Sequence, residues 1–385
     1  MREHDGLVFT IDEYRRRLGR VRERMAKAEL DALLVTGPEN ITYLTSYQTT
    51  GYYYMQALVI PLEDEPFMVT RLLENTSVTT RTWIEHSFPY TDTEDAMGKL
   101  VVTMKENNLG TKRIGYDRNG YFLRAFEQDA LHDGLPNATL VDTSGLVEAE
   151  RVIKSDEEIA LLRRVARVTE VAMQAGVDAV AAGVTENHIA AEIHHAMFEA
   201  GGEYPSCSPF VCSGPRGGIG HATWEGRTVN AQEYVFLELA GCIQRYHTAM
   251  MRTCYVGEVT DNARQAAALV ARAVEASIGA MKPGVSAQEV DRINREILAD
   301  NPFGATQTTR SGYSIGIAYA PDWGEGGILS LKGDEPRLLE PNMVFHLIPW
   351  VQIPGEASIG LSETVRVTQD GCESLFDFER VLFSK

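Results

Sequence analysis

An acidic residue inside an apolar strand is the first feature of this sequence that indicates chemistry. The segment Tyr234–Leu239 reads as a buried strand, and Glu238 is its one charged residue. Taking a carboxylate out of water costs free energy unless a partner compensates for it. His221 lies in the preceding loop, and an imidazole can transfer a proton near neutral pH. The pair is a candidate for acid–base or nucleophilic catalysis; the alternatives are an edge-strand glutamate that faces water and a loop histidine bonded to backbone.

The elements around these residues predict two domains. The strand with Glu238 is predicted to pair with a second strand, Tyr246–Val256, through a turn at Ala240–Gly241. Short strands and helices alternate up to about residue 150, which is typical of an α/β domain with a mixed sheet. Beyond it, Ser155 followed by Glu158 predicts a capping box at a helix start. We therefore predict an α/β protein with an N-terminal domain over 1–150 and a C-terminal domain over 151–385.

Composition argues against several classes of function. A net charge of −18 over 385 residues, with no basic cluster, makes nucleic acid a poor partner. No apolar run reaches the about 18 residues of a membrane span, and the start of the chain lacks the pattern of a secretion signal. The five cysteines show no paired spacing, which predicts reduced thiols. We expect a cytoplasmic protein that binds a small-molecule substrate, with neither nucleic acid nor a membrane as partner.

The segment from His221 to Thr253 resembles the creatinase, methionine aminopeptidase and prolidase family, which has the pita-bread fold. Metal-dependent members carry one Asp in the first strand and a second Asp eleven residues later, followed by Arg-Thr. Here those positions are Glu238 and Ala249, and Arg252-Thr253 matches the Arg-Thr pair. The helix start at Lys154, Ser155, Glu158 and Ile159 also matches the family. The resemblance implies a creatinase-like N-terminal domain and a pita-bread (α+β) catalytic domain.

The other metal-ligand positions of the family are also changed in this chain. The family's histidine falls near Tyr313 or Ser314, and the first of its two glutamates falls on Ile348. The second glutamate is kept, as Glu363. Two carboxylates without an aligned imidazole are too few ligands for two hard cations. We therefore predict no metal and no other cofactor.

Two metal-independent relatives guide the functional prediction. Creatinase keeps a catalytic histidine at the position of His221 and an arginine at that of Arg227. Its two acidic residues that bind the guanidinium fall on Met251 and Ile348, so this chain is not simply a creatinase. Several short motifs in the C-terminal half resemble the ectoine hydrolases of the same family: Glu238-Leu-Ala-Gly241, Arg245-Tyr-His247, Gly312-Tyr-Ser-Ile-Gly316, Pro321-Asp-Trp-Gly-Glu325, Phe345-His346 and Ser362-Glu363.

The resemblance implies that His221, Glu238 and Glu363 are catalytic and converge on one cleft. A cyclic amidine or a guanidinium is a planar cation with two N–H donors, which carboxylates bind in a bidentate manner. Glu238 would activate a water or attack directly, and His221 would protonate the departing nitrogen. The residues predicted to bind substrate are Tyr52, Tyr54, His247, Tyr313, Asp322, Trp323, Glu325 and His346.

Each substrate-binding prediction has a structural alternative. His247 and His346 lie in apolar strands, where a histidine is commonly structural. The loop from Tyr313 to Glu325 can equally be a cap over a surface turn. Tyr52 and Tyr54 can equally pack in the core of their own domain.

The predicted function is a metal-independent hydrolase of a C–N bond in a cyclic amidine or guanidino compound. An ectoine-like substrate is the first choice and a creatine-like substrate the second. The alternatives are a metal-dependent Xaa-Pro dipeptidase, a dimethylsulfoniopropionate-type lyase, and a binding module without catalytic activity. The resemblance also implies a homodimer in which the partner's N-terminal domain completes each active site, with Tyr52 and Tyr54 lining the partner's site.

Overall fold

The structure is a computed structural model that describes residues 1–304, 307 and 309–385. The chain forms two compact units, Met1–Arg151 and Val152–Lys385. Each unit has an apolar core of its own. No helix within the described ranges combines the length and the apolar character that crossing a membrane requires.

A mixed sheet forms the centre of the N-terminal unit, as the alternation of strands and helices predicted. Its strands are β1 (Ala32–Val35), β2 (Ala57–Pro61), β3 (Phe67–Val69), β4 (His86–Ser87), β5 (Arg113–Tyr116) and β6 (Thr139–Asp142). The helices are α1 (Ile11–Lys27), α2 (Pro38–Thr45), α3 (Asn75–Arg81), α4 (Ala96–Glu106), α5 (Ala125–Gly134) and α6 (Glu148–Arg151). The strands lie in the order β4-β3-β2-β1-β5-β6, and β1 pairs antiparallel with β2 and parallel with β5.

The C-terminal unit combines long helices with several mostly antiparallel sheets. The helices are α7 (Asp156–Ala179), α8 (Glu186–Glu199), α9 (Asp261–Ala280) and α10 (Ala287–Ala299). One sheet contains β7 (Phe210–Ser213), β8 (Glu233–Ile243), β9 (Tyr246–Val256) and, at the end of the chain, β17 (Phe383–Ser384). The other strands are β10 (Gly312–Ser314), β11 (Ser330–Leu331), β12 (Val344–Leu347), β13 (Trp350–Ile353), β14 (Ala357–Gly360), β15 (Glu363–Val367) and β16 (Cys372–Ser374).

The first helix of this unit begins as the sequence predicted. The Ser155 hydroxyl accepts a hydrogen bond from the Glu158 backbone N–H, and the Glu158 carboxylate accepts one from the Ser155 N–H. This reciprocal capping box satisfies two donors at the start of α7. Helix α7 then packs on β8 and β9, the strand pair that carries Glu238.

The turn between β8 and β9 differs from the prediction. We predicted it at Ala240–Gly241, but β8 continues to Ile243 and the chain reverses at Gln244 and Arg245, both with positive φ. Gly241 has another role, because a Cβ there would lie 2.6 Å from the Thr169 hydroxyl of α7. Its N–H donates to that hydroxyl over 3.1 Å. The glycine therefore allows close helix–sheet packing and does not form the turn.

A short break separates strands β14 and β15. β14 ends at Gly360, and β15 begins at Glu363 and pairs with β12. Ser362, in the break, donates its backbone N–H to the Met251 carbonyl of β9 over 3.1 Å. The break attaches this segment to β9 and sets the direction of the Glu363 side chain.

Candidate active site

A cavity of about 770 Å³ lies in the C-terminal unit. Parts of β7, β8 and β9 line it, together with the loops over residues 217–222 and 321–323. Much of the wall is apolar, including Phe236, Met251 and Ile348. A cavity of this size with a few polar groups in an apolar wall suits a small organic molecule.

Glu238 contributes a carboxylate without a partner to the wall of this cavity. Its strand neighbours are Phe210 of β7 and Met251 of β9, so apolar side chains flank it. Within the described part of the chain no cation and no hydrogen-bond donor reaches the carboxylate. Burial, with a smaller contribution from Asp322, raises the pKa of Glu238 to about 8. The group can therefore both hold and release a proton near neutral pH, as a catalytic acid or base must.

Asp322 brings a second carboxylate to the same cavity. It lies in an exposed loop, and its Oδ1 accepts a hydrogen bond from the Gly324 backbone N–H over 3.0 Å. Its charge is close enough to raise the pKa of Glu238. Two like charges at one wall repel each other, and a bound cation relieves that repulsion. This wall of the cavity therefore favours a cationic group.

His221 lies in the loop after the short 3-10 helix Gly214–Gly218, and it also lines the cavity. Its φ of +60° places the backbone in the left-handed region, which non-glycine residues rarely adopt. The ring centroid lies 5.3 Å from that of Phe210, whose ring lies 5.1 Å from that of Trp323. No hydrogen bond to another described residue holds the imidazole, so both its nitrogens are available to a ligand.

Glu186 of helix α8 holds the loop that carries His221, and sequence reasoning missed this residue. One carboxylate oxygen accepts from the Ser213 backbone N–H over 2.8 Å and from its hydroxyl over 2.9 Å. The other accepts from the Arg216 guanidinium and from the Glu225 backbone N–H. Both ends of the loop are thus fixed to a fully buried carboxylate. Nothing in the local pattern around Glu186 distinguishes it from an ordinary acidic residue in the first turn of a helix.

A chain of hydrogen bonds extends from the cavity wall into the core. The Trp323 indole N–H donates to the Tyr313 hydroxyl over 2.8 Å, and that hydroxyl bonds His346 Nδ1 over 2.8 Å. His346 Nε2 bonds the Ser362 hydroxyl over 2.6 Å. Burial lowers the pKa of His346 to about 3, so the imidazole is neutral. Of the predicted substrate ligands, Tyr313, Asp322 and Trp323 line the cavity, while His346 lies behind Tyr313 and fixes its hydroxyl.

The structure places Glu363 away from Glu238, which corrects the prediction of a common cleft with His221. One carboxylate oxygen accepts from Arg252 Nη2 over 2.6 Å, and the other accepts from the Ser374 hydroxyl. Side chains alternate along a strand. Met251 lines the cavity, so the adjacent Arg252 points to the other side of the sheet and Glu363 pairs with it there. Glu363 is an internal ion-pair partner in this structure.

His247 and Glu325 are likewise bound inside the domain, away from the cavity wall. The Ser206 backbone N–H donates to His247 Nε2 over 3.1 Å, and burial lowers the pKa of His247 well below its ordinary value. The Glu325 carboxylate accepts from the buried Lys154 ammonium over 2.7 Å. We predicted both as substrate ligands, but the protein itself supplies a partner to Nε2 of His247 and to the Glu325 carboxylate. Nδ1 of His247 has no hydrogen-bond partner among the described residues. Glu325 instead anchors the loop that carries Asp322.

Tyr52 and Tyr54 belong to the N-terminal unit. The Tyr52 ring packs edge-on against Phe122, with centroids 5.7 Å apart. The Arg71 guanidinium lies over the Tyr54 ring at 4.2 Å. Tyr54 is exposed, and neither tyrosine is in its domain's core. Their predicted place at a partner's active site stays a prediction.

Arg310 also lines the cavity and was not predicted as a site residue. It lies two residues before the segment Gly312–Gly316, so its place beside a recognisable motif was the available signal. All five cysteines are free thiols, as predicted, and Cys207 and Cys212 lie in the cavity wall. Burial raises the pKa of the Cys212 thiol to about 12, so it is protonated and unreactive near neutral pH.

Comparison with known families matches both units. Residues 160–369 match metallopeptidase family M24, and residues 17–153 match the creatinase/prolidase N-terminal domain. An Xaa-Pro dipeptidase from Bacillus anthracis has a similar structure, with a TM-score of 0.83 and 22% sequence identity. The match covers 97% of this chain and 100% of the dipeptidase. The fold is therefore a creatinase-like N-terminal domain followed by a pita-bread domain, as predicted.

Two proteins of similar sequence match over nearly their whole length. An uncharacterised hydrolase/peptidase, y4tM of Sinorhizobium fredii, is 33% identical over 98% of this chain and 99% of its own. The ectoine hydrolase of Halomonas elongata is 29% identical over 98% of this chain and 99% of its own.

The matched metallopeptidase family implies a bound metal, but the donors in this cavity do not fit one. Ala249 has no ligand atom in its side chain, and its backbone N–H and carbonyl both bond the Thr364 hydroxyl. Ile348 contributes an apolar side chain to the cavity, and the Glu363 carboxylate is already paired with the Arg252 guanidinium. Within the described residues no group of three or more acidic, histidine or cysteine side chains is placed to bind a metal ion. Glu238 alone cannot hold two divalent cations.

Proposed function

The chain belongs to metallopeptidase family M24, and on that premise we propose that it is a metal-independent hydrolase of a C–N bond in a small amidine or guanidino compound. An ectoine-like cyclic amidine is the first candidate and a creatine-like compound the second. The observation that carries the proposal is the Glu238 carboxylate, which lines an apolar cavity without a protein partner. Such a group is costly unless a ligand compensates for it.

The charge at this wall supports a cationic substrate. Glu238 and Asp322 line the same cavity, and each amidine N–H can donate to a carboxylate oxygen. Binding of the cation would lower the pKa of Glu238 and release its proton, because an opposite charge favours the ionised form. The ionised carboxylate is the form that can act as a base or a nucleophile.

The reaction would add one water molecule across the amidine. The water oxygen bonds to the amidine carbon while Glu238 takes a proton from it, or Glu238 attacks first and water then cleaves the resulting ester-like intermediate. The bond from that carbon to one nitrogen breaks, and His221 supplies a proton to the departing nitrogen. The products are an amide and an amine. His221 is suited to this step because it lines the cavity with both ring nitrogens unengaged by described residues.

Sequence similarity also supports hydrolysis of an amidine. The ectoine hydrolase of Halomonas elongata aligns along almost the whole chain. A metal-dependent Xaa-Pro dipeptidase is the second candidate, because proteins of that activity share the fold. Ala249, Ile348 and the pairing of Glu363 with Arg252 argue against it, because they remove ligands that two metal ions need. The homodimer and the cytoplasmic location stay predictions.

A substrate screen with and without a chelator tests the proposal. Purified protein is offered ectoine, hydroxyectoine, creatine and Xaa-Pro dipeptides, and its metal content is measured in parallel. We expect turnover of an amidine or guanidino compound that survives prolonged chelation. Stoichiometric bound metal together with dipeptide hydrolysis that is lost on chelation would overturn the proposal and establish the second candidate.

A further inference from the structure

Arg310 is a fixed cation in the wall of the cavity. Its guanidinium lies over the Tyr313 ring, with Cζ 4.3 Å from the ring centroid. On another side it lies against Gly326, where an added Cβ would lie 2.1 Å from Nη1, so a larger residue there would displace the guanidinium. Nη1 donates to the Ser330 hydroxyl over a long 3.3 Å. These contacts hold the group in place without neutralising its charge.

The Arg310 guanidinium has no carboxylate partner. The described residues include every Asp and Glu of the chain, and none forms an ion pair with Arg310 within 4.0 Å. Other arginines of the same domain are paired: Arg252 with Glu363, Arg216 with Glu186, and Arg227 with Glu233. A guanidinium keeps its charge in proteins. Arg310 is therefore available to an anionic group from outside the chain.

Glu238 and Arg310 thus present opposite charges separately in one cavity. They line the same space but form no ion pair with each other. We propose that the cavity binds a small zwitterion, with its cationic amidine or guanidinium at Glu238 and its carboxylate at Arg310. This inference rests on the proposed function and adds the residue that recognises the anionic end of the substrate. Arg310 matches a carboxylate with two parallel N–H donors, which fixes orientation as well as position.

The separate positions of Glu238 and Arg310 predict which ligands the cavity binds tightly. An amidine without a carboxylate leaves the Arg310 cation without a partner in a largely apolar wall, and a carboxylate without a cation leaves Glu238 unpaired. Both ends of the substrate are therefore required for tight binding. A charge-assisted pair of this kind changes affinity by on the order of tenfold to a hundredfold.

The test compares two probes on three proteins, and a fourth protein, Arg310→Lys, checks the donor geometry. The probes are ectoine and the same cyclic amidine with hydrogen in place of the carboxylate. The proteins are the natural chain, Arg310→Met, and the control Arg292→Met, which removes the same charge from an exposed position on α10. Dissociation constants are measured by calorimetry and kcat/KM by product formation.

We expect the natural chain and Arg292→Met to prefer ectoine by about tenfold to a hundredfold, and Arg310→Met to bring the ratio close to one. Arg310→Lys should recover only part of the preference, because an ammonium keeps the charge but not the two-donor geometry. Turnover of both probes without a preference, or a preference unchanged in Arg310→Met, would overturn the role of Arg310 and leave the proposed function standing. Failure of the natural chain to bind either probe or creatine would overturn both.

Discussion

The Arg252 guanidinium donates to the Glu363 carboxylate over 2.6 Å, and both side chains are fully buried. Arg252 also donates to the carbonyls of Met251 and Ser362, so the pair connects β9 with the start of β15. The domain therefore contains two carboxylates in opposite situations. Glu363 is neutralised by protein, whereas Glu238 faces a cavity without a partner. Substitution of each should have a different consequence.

Glu363→Gln should lower stability. The change leaves the buried Arg252 cation without its counter-charge. Removing one member of a buried ion pair lowers the free energy of unfolding by about 3–5 kcal/mol. Chemical denaturation of the natural chain and of Glu363→Gln measures this difference in unfolding free energy. Folded Glu363→Gln should retain turnover, because Glu363 does not line the cavity. If Glu363→Gln is stable but inactive, Glu363 is a catalytic residue after all.

Glu238→Gln should keep the fold and abolish turnover. The amide can neither accept a proton nor attack as a carboxylate, so we expect a loss on the order of a hundredfold or more in kcat. Circular dichroism and steady-state kinetics on the identified substrate measure the two effects. Glu199→Gln, at an exposed position at the end of α8, is the matched control. Near-normal turnover of Glu238→Gln would contradict the proposed mechanism.

The raised pKa of Glu238 predicts a dependence of stability on pH. The folded protein binds this proton more tightly than the unfolded chain does, because burial raises the pKa from 4.5 to about 8. Its stabilising contribution is complete below the ordinary carboxyl range and is lost as the pH rises through about 8. Glu238→Gln cannot titrate. Its melting temperature should therefore rise relative to that of the natural chain as the pH increases from about 4.5 to about 8, and the difference should level off above that range.

Thermal unfolding of both proteins at closely spaced pH values is the measurement, without substrate. The control is Glu199→Gln, whose difference from the natural chain should stay constant with pH. A constant difference for Glu238→Gln as well would show that Glu238 has an ordinary pKa.

We predict that Glu186 affects catalysis indirectly, because it holds the loop that positions His221. In Glu186→Gln the buried carboxylate that binds Arg216, Ser213 and the Glu225 backbone loses its charge, so the loop should become more mobile. We expect kcat to fall by about tenfold or more, because small misplacements of a catalytic group are costly. Hydrogen exchange over residues 213–225 should increase. Glu192→Gln, at a half-exposed position on the same helix, is the control.

A purely structural role for Glu186 would lower the stability of the whole domain without a local increase in exchange. Kinetics measured well below the melting temperature separate the two cases. If folded Glu186→Gln keeps both kcat and the exchange pattern of the loop, Glu186 does not position His221.

The sequence by itself determined the two-domain α/β organisation and the family, and it singled out Glu238 and His221 as candidate catalytic residues. Those conclusions rest on local information: alternation of strands and helices, the capping box at Ser155, and a carboxylate within an apolar strand. The tertiary structure decided which carboxylate is paired. Arg252 and Glu363 are 111 residues apart in the chain, and their contact depends on strand register and on the break between β14 and β15. Only the folded chain shows that Glu186 holds the His221 loop and that Arg310 has no carboxylate partner, because a partner is a property of three-dimensional proximity and not of residue type.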